Sequence, residues 1–264
     1  IVFDGQSNAL GNSSATGGDK TTSANVYAHN WSANTCGVAT LGAPPFKVNV
    51  AQPNNLAFHA AKRISEKMGR PVLLIGQPEP GASIGRWLTT SADPDLWTRT
   101  EATIADAMTD CAAFLYGKTT VDFFLWMQGE AEYDLLPKDL LNSTYYPQLI
   151  GQVTDASWAA DDVRFIAGEL LHEEDGGNFW HANEGYRKLA AQGRFVNYSL
   201  VPSMGLTHVG DNVHYDGASL VALGHRFADV MIDAGAGATS SEEYQMADLR
   251  DVMIYRGRKY ALLA

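Results

Sequence analysis

Short apolar runs alternate along the chain with longer segments whose apolar residues recur at helical spacing. Strands are predicted at residues 1–3, 71–76, 121–127, 163–167 and 195–201. Helices are predicted over residues 56–69, 100–116, 145–153, 184–192 and 218–234. Strand and helix therefore follow one another through most of the sequence.

The predicted strands are apolar on both faces, which indicates a parallel sheet covered by helices on both sides. We predict an α/β fold, a three-layer α/β/α sandwich, over residues 1–235. Residues 236–264 begin with a Gly/Ala/Ser/Thr stretch that is typical of a linker. Beyond it, apolar segments at 252–255 and 259–263 flank an Arg-Gly-Arg turn, which predicts a β-hairpin as a short C-terminal extension.

Composition limits the partners of this protein. The 264 residues include 19 Lys+Arg and 30 Asp+Glu, for a formal net charge of -11. Such a surface repels phosphate backbones and anionic lipids, which argues against nucleic acid and against a membrane surface. No apolar run approaches the roughly 20 residues that span a bilayer. A neutral, soluble partner is expected.

The two cysteines, Cys36 and Cys111, lie far apart in the chain and match no metal-binding spacing. They are able to pair in an oxidising compartment, but we expect two separate buried thiols. The sequence starts at Ile1 rather than at methionine, as a mature or trimmed chain does, so the start gives no information about export.

Ligands of such sheets bind beyond the carboxyl ends of the strands, so the residues that follow each strand are informative. After the first predicted strand, Ser7 lies in a turn next to Gly5, with its N–H at the start of a helix. There it is a candidate nucleophile, and its N–H a candidate donor to a developing negative charge. Helix capping is the alternative role.

The second and third strand ends supply further donors. Gly81 allows close backbone approach, so its N–H is a candidate oxyanion donor, although an ordinary Pro-Gly turn is the alternative. Gln128 is able to aim its side-chain amide at the same oxyanion. Glu130 has two candidate roles. We favour an orienting role, in which its carboxylate bonds to Gln128 or to the Ser7 loop, and the alternative is that it caps the next segment. A Glu130/Glu132 pair of the glycosidase type is disfavoured, because residues two apart on one loop do not flank one bond.

Before the last helix, Asp211 and His214 are close enough in a turn for the carboxylate to reach Nδ1 of the imidazole. Nε2 would then be free to take a proton from Ser7. Asp216 either replaces Asp211 in this role or caps the following helix. Elsewhere, residues 172–175 with His181 resemble a metal cluster, but a solvated loop fits their spacing better.

In chain order, these motifs resemble the blocks of the sialate O-acetylesterase-type branch of SGNH hydrolases, which includes the acetylxylan esterases of carbohydrate esterase family six. The resemblance spans roughly residues 1–232. Its motifs are Gly5-Gln6-Ser7-Asn8, Gly81-x-Ser83-Ile84-x-x-Trp87, Trp126-x-Gln128-Gly129-Glu130, Asp211-x-x-His214 and Gly224-x-Arg226-Phe227-Ala228.

The resemblance implies a flavodoxin-like SGNH hydrolase fold and hydrolysis of acetyl esters on sugars without a metal or other cofactor. It implies a triad of Ser7, His214 and Asp211. It also implies an oxyanion hole from the N–H groups of Ser7 and Gly81 and the side chain of Gln128, with Gln6, Asn8 and Glu130 in support. Ala9, Pro80 and Glu132 depart from common family residues, which leaves the acyl pocket and the substrate contacts open.

The leading hypothesis is therefore a serine esterase that removes O-acetyl groups from a polysaccharide or from sialic acid. A generic short-chain esterase or thioesterase is one alternative. A non-catalytic carbohydrate-binding module of a larger assembly is another. Because acetylated glycans lie mostly outside the cytoplasm, a secreted or extracellular location is plausible, and the sequence does not indicate an oligomeric state.

Overall fold

The computed structural model describes residues 1–11, 13–30, 32–41, 54–132, 140–235, 253–255 and 258–260. The strands are β1 (Val2–Gly5), β2 (Val26–Asn30), β3 (Thr35–Val38), β4 (Val72–Gly76), β5 (Val121–Met127), β6 (Ala159–Gly168), β7 (Tyr198–Val201), β8 (Met253–Tyr255) and β9 (Arg258–Tyr260). The α-helices are α1 (Ser7–Leu10), α2 (Leu56–Met68), α3 (Asp95–Asp110), α4 (Tyr146–Thr154), α5 (Trp180–Gln192) and α6 (Gly217–Asp233).

Within these residues, seven strands form one sheet in the order β3-β2-β4-β1-β5-β6-β7. All neighbouring strands run parallel except β2 and β3, which pair antiparallel at one edge. The central strand β1 lies between β4 and β5, and Gly5 at its end pairs with Met127 at the end of β5. The predicted α/β class with a mainly parallel sheet is confirmed.

Helices cover both faces of the sheet. On one face, aromatic side chains of β5 and β6 reach α3 through a cluster of Trp97, Phe124, Trp126, Trp158 and Phe165. On the other face, β1 and β5 meet α2 and α6 around one small void lined by residues that include Phe3, Leu56, Leu125, Met127 and Phe227. Because residues 124–127 alternate between these two clusters, β5 is buried on both sides, which gives the three predicted layers.

The ends of two helices follow from local sequence. The side chain of Asn55 accepts the N–H of Phe58 at 3.0 Å where α2 begins, and Gly69 ends the helix with a left-handed φ of 62°. The helix predicted there is confirmed. The side chain of Asp216 accepts the N–H of Ser219 at 2.8 Å where α6 begins, which is the capping role considered for it.

Other boundaries differ from the prediction. Helix α3 begins at Asp95, directly after Pro94, and ends at Asp110, whereas the prediction covered residues 100–116. Tyr116 has a left-handed φ of 50°, which a continuing helix does not allow. Strands β2 and β3 were not predicted, because polar residues interrupt their apolar pattern. None of the described helices combines the length and the apolar character needed to cross a membrane.

Cys36 of β3 and Cys111 at the end of α3 form a disulfide, with their Cα atoms 5.2 Å apart. The expectation of two separate thiols is therefore wrong. The fold brings them together, because β2 and β3 pack beside the C-terminal end of α3. In the same place His29, which pairs with Cys36 across the two strands, bonds to Asp110 through Nε2 at 2.9 Å. Spacing in the sequence gives no sign of this contact.

In the segment where a C-terminal hairpin is predicted, β8 and β9 pair antiparallel with Ile254 opposite Lys259. The linker after residue 235 and the turn at residues 256–257 lie outside the described residues. The division of the chain at residue 235 stays a prediction.

Loss of the disulfide is expected to lower the free energy of unfolding by about 2–4 kcal/mol, because the bond restricts the unfolded chain. Chemical denaturation of the parent and of the Cys36→Ser/Cys111→Ser double variant measures this difference. The parent under reducing conditions is the control, and it should match the variant because the chain has only 2 cysteines. Equal stability of oxidised parent and variant would contradict the prediction.

Candidate active site

The chain turns sharply where β1 ends. Gly5 has a φ of 126°, and a Cβ at this position would lie 2.0 Å from the carbonyl oxygen of Met127, so glycine is required. The N–H of Gln6 donates to that same oxygen at 2.9 Å, and Ser7 follows as the first residue of α1. Ser7 therefore lies at the carboxyl edge of the sheet, as predicted.

A series of hydrogen bonds joins Ser7 to the loop that precedes α6. Ser7 Oγ lies 2.9 Å from His214 Nε2, and His214 Nδ1 lies 2.6 Å from Asp211 Oδ2. Ser7 and His214 line an open cleft, in which the His214 side chain keeps 23% of its surface exposed. The structure thus brings the predicted hydroxyl, imidazole and carboxylate into contact in the predicted order.

The loop keeps Asp211 in its ionised form. Partial burial acts to raise the pKa of Asp211, but the backbone N–H groups of His214 and Val213, at 2.9 and 3.0 Å, and the imidazole donate hydrogen bonds that lower it to about 2. An ionised carboxylate only accepts, so His214 carries its proton on Nδ1. Nε2 then has a lone pair that accepts the hydroxyl proton of Ser7.

Asp216, the alternative carboxylate, is engaged elsewhere. One of its oxygens accepts the N–H of Ser219, and the other accepts the hydroxyl of Thr207 at 2.5 Å. Both contacts hold the start of α6. The contacts in the structure therefore favour Asp211 as the partner of the imidazole.

Asn8 connects the Ser7 turn to the loop that carries His214. Its side-chain amide donates to the carbonyl oxygen of Val213 at 3.0 Å and to Glu130 Oε1 at 2.7 Å. Its side-chain oxygen accepts the N–H of Tyr215 at 3.1 Å. Because Val213 and Tyr215 flank His214, one buried side chain fixes the base relative to the hydroxyl.

Glu130 is half-buried in the lining of the cleft, and burial raises the pKa of its carboxyl to about 7. Its Oε1 accepts from Asn8, and its Oε2 is buried without a hydrogen-bond partner among the described residues. Of the two orienting roles considered for Glu130, the contact with Asn8 supports the one toward the Ser7 loop.

Gln128 requires a correction. It is fully buried, and its amide nitrogen donates to the carbonyl oxygen of Ala82 at 3.2 Å and to Glu132 Oε2. Both N–H groups of that amide are therefore used, and the predicted role as an oxyanion donor is not supported. Instead Gln128 and Glu132 hold the turn after β4, since Glu132 Oε1 also accepts the N–H of Ile84 at 2.6 Å.

The sequence did not reveal the contribution of Glu132. Glu132 is the last residue of the short 3₁₀ helix Glu130–Glu132, and burial raises its pKa to about 6. In the sequence, Glu132 stands out only as half of a disfavoured pair with Glu130 and as a departure from the common family residue. Through Ile84 and Gln128 it fixes the segment on which Gly81 lies.

Two backbone N–H groups at the cleft remain available as donors. The N–H of Ser7 and the N–H of Gly81 do not donate to any described residue, and both residues line the cleft. Gly81 is exposed and has a left-handed φ of 71°, which glycine adopts without strain. Both predicted donors therefore belong to residues that line the same cleft as the hydroxyl of Ser7.

The cleft has a volume of about 750 Å³ and a mixed lining. Buried Gln6 contributes to it, and its side-chain oxygen accepts the N–H of Ala131 at 3.3 Å. Arg86 also lines the cleft and donates to both oxygens of Asp95 through Nε and Nη2, at 2.8 and 2.5 Å. The sequence did not single out Arg86, because nothing in its spacing distinguishes it from a surface arginine.

The acidic segment near residue 172 is not a simple solvated loop. His172 is buried and accepts the N–H of Glu174 at 3.2 Å, while Arg187 donates to Glu169 and Glu173 at 2.5 and 3.0 Å. These ion pairs fix the segment against α5. In the described parts of the chain, no group of three or more His, Cys, Asp or Glu side chains is arranged to hold a metal ion.

Comparison with known proteins identifies relatives by family and by fold. The family model described as "Carbohydrate esterase, sialic acid-specific acetylesterase" matches residues 1–233. No curated protein matches this sequence.

Solved structures share the fold at low sequence identity. A protein from Arabidopsis thaliana matches with a TM-score of 0.70 and 16% identity, over 88% of this chain and 97% of its own. NanS matches with a TM-score of 0.62 and 14% identity, over 88% of this chain and 96% of its own. XAC1771 from Xanthomonas citri, described as a novel carbohydrate acetylesterase, matches with a TM-score of 0.60 and 15% identity, over 90% of this chain and 56% of its own.

The raised pKa values of Glu130 and Glu132 predict a pH-dependent stability. Each carboxyl has a pKa of 4.5 in the unfolded chain, whereas in the folded protein the pKa is about 7 for Glu130 and about 6 for Glu132. Between these values the folded protein binds more protons than the unfolded chain does. The free energy of unfolding therefore falls as pH rises from about 4.5 to about 7. In Glu132→Gln, the fall between about pH 5 and 7 should be smaller than in the parent by about 1–2 kcal/mol.

Urea denaturation at several pH values measures this difference. Glu101→Gln, which removes an exposed carboxyl, is the control and should show the slope of the parent. An unchanged slope in Glu132→Gln would contradict the raised pKa.

Proposed function

Because this chain belongs to the carbohydrate esterase family of sialic acid-specific acetylesterases and is thus a carbohydrate O-acetylesterase, we propose that it cleaves O-acetyl groups from sugars with Ser7 as its nucleophile. The observation that supports this most directly is the series of hydrogen bonds from Ser7 through His214 to Asp211, at 2.9 and 2.6 Å. The three groups fit the roles of nucleophile, general base and orienting acid.

In the first half of the reaction, Ser7 Oγ attacks the acetyl carbonyl carbon while His214 Nε2 takes the hydroxyl proton. Asp211 stabilises the imidazolium that forms. As the tetrahedral intermediate collapses, the bond from the acetyl carbon to the sugar oxygen breaks. The same proton passes from His214 to that oxygen, which leaves an acetyl group on Ser7 and a free sugar hydroxyl.

In the second half, water replaces the sugar. The oxygen of the water molecule attacks the acetyl carbon while His214 Nε2 takes a proton from that water. His214 then returns this proton to Ser7 Oγ as acetate leaves. The N–H groups of Ser7 and Gly81 stabilise the negative oxygen in both halves, and a well-placed donor of this kind contributes about 3 kcal/mol.

The buried pair of Gln128 and Glu132 contributes to this role indirectly. By holding the carbonyl oxygen of Ala82 and the N–H of Ile84, the pair fixes the turn that carries Gly81. A donor whose backbone is already fixed needs no reorganisation when charge develops.

For the substrate, we propose an acetylated polysaccharide or an acetylated sialic acid. The volume of about 750 Å³ is in the range of small-ligand sites. Arg86 donates to Asp95 through Nε and Nη2, and its Nη1 donates to no described residue. This nitrogen suits a sugar carboxylate, which sialic acid carries and neutral xylan lacks.

Ser7→Ala is expected to lower kcat for acetate release from 4-nitrophenyl acetate by at least about 10³-fold, because no neighbouring group replaces the nucleophile. Thermal unfolding should stay close to that of the parent. Ser14→Ala, which removes an exposed hydroxyl, is the control and should keep the parent rate. A Ser7→Ala protein as active as the parent would exclude Ser7 as the nucleophile.

Arg86→Gln is expected to raise KM for acetylated sialic acid about 10-fold or more, since a charge-assisted hydrogen bond is lost. The KM values for the methyl ester of acetylated sialic acid and for acetylated xylan should change less than about twofold, because neither substrate carries a carboxylate that could form this bond. Steady-state kinetics with the three substrates separates these cases. If all three KM values move together, Arg86 does not select a carboxylate.

A further inference from the structure

The loop that carries Asp211 and His214 contains a second histidine, His208. His208 pairs with Tyr215 in an isolated antiparallel bridge, and the N–H of Val209 donates to the carbonyl oxygen of His214 at 2.9 Å. The chain between these pairs is a closed loop. His208 lies at the base of this loop, where it is half-buried, and it is not part of the cleft lining.

The ring of His208 accepts two backbone hydrogen bonds from inside the loop. Its Nδ1 lies 3.0 Å from the nitrogen of Gly210 and 3.0 Å from the nitrogen of Asn212. Both donors have left-handed backbones, with φ of 107° and 60°. Asn212, unlike glycine, has a Cβ that disfavours this conformation, so the contacts that hold it there matter.

The two residues fixed by His208 stand on either side of Asp211. Asp211 in turn uses Oδ1 to accept the N–H groups of Val213 and His214, which leaves Oδ2 for the imidazole. His208 therefore fixes the backbone before and after the carboxylate, and the carboxylate fixes the backbone that leads to the base.

The hydrogen-bond partners assign opposite tautomers to the two histidines. Nδ1 of His208 accepts from two N–H groups, so His208 carries its proton on Nε2. Nδ1 of His214 faces an ionised carboxylate, so His214 carries its proton on Nδ1. The ring of His208 works in the loop only as an acceptor.

We propose that His208 is a positioning residue for the esterase reaction, which rests on the function proposed above. By accepting the N–H groups of Gly210 and Asn212, it holds the carboxylate of Asp211 where it meets the imidazole. Because His208 lies outside the cleft, its loss changes the alignment of the reacting groups and not the binding of the sugar.

Three substitutions separate this role from a general structural one. His208→Leu removes the acceptor and should lower kcat about 10- to 100-fold, with KM changed less than about twofold. His208→Asn should restore most of the rate, because the Oδ1 of asparagine occupies the place of Nδ1. His208→Gln places its oxygen one bond further out, near the place of Nε2, and should not restore the rate.

The measurement is steady-state hydrolysis of 4-nitrophenyl acetate and of an acetylated sugar, with circular dichroism to compare folding. A low kcat in His208→Leu and His208→Gln with a near-parent kcat in His208→Asn supports the role. A kcat equal to that of the parent in all three variants overturns the proposal. An equal loss of kcat in all three also overturns it, because the rate would then not depend on an acceptor at the place of Nδ1.

Nitrogen-15 NMR of the imidazoles in the parent protein gives a readout that does not depend on turnover. The proposal requires His208 protonated on Nε2 and unprotonated on Nδ1, and a proton on Nδ1 of His208 overturns it. Should the parent release no acetate at all, the proposed function fails, while the NMR result still decides whether His208 is the acceptor that holds the loop.

Discussion

The hydrogen bond between Ser7 and His214 joins residues 207 positions apart, and contacts on both sides of it hold the two residues in place. Glycine at position 5 lets the chain turn against β5, and Asn8 binds the residues on both sides of His214. Neither partner reaches the other through local sequence alone. The contact depends on a sheet whose central strand ends beside the last long loop of the domain.

Two pairs of an amide and a carboxylate, placed side by side, support this edge of the sheet. Asn8 with Glu130 holds the loop of the imidazole, and Gln128 with Glu132 holds the turn of Gly81. Burial raises the pKa of both carboxyls, which costs stability at neutral pH. Groups that are expensive to bury and that fix the orientation of reacting atoms are typical of functional sites.

The sequence predicted the sheet class and most strands, because the signals for them are local, and it predicted the three residues in contact, because each lies in a short motif that resembles a block of the family. Apolar runs end at Gly5 and at Met127, and Asp211 and His214 lie within one turn. It did not predict the disulfide between Cys36 and Cys111 or the role of Glu132, because both depend on which distant segments meet. The assignment of Gln128 to the oxyanion failed for the same reason, since the carboxylate that takes its amide is visible only in three dimensions. The sequence did not identify His208, because its ring accepts backbone N–H groups, and contacts with the backbone produce no recognisable pattern of residue types.

The central claim is that His214 activates Ser7 as a nucleophile, and covalent labelling tests it most directly. A fluorophosphonate probe reacts with activated serine hydroxyls, and mass spectrometry of the digested chain locates the label. The account predicts one label on Ser7 in the parent, with its rate of formation strongly reduced in His214→Ala. A label on another residue, or equal labelling of Ser7 in the two proteins, would contradict it.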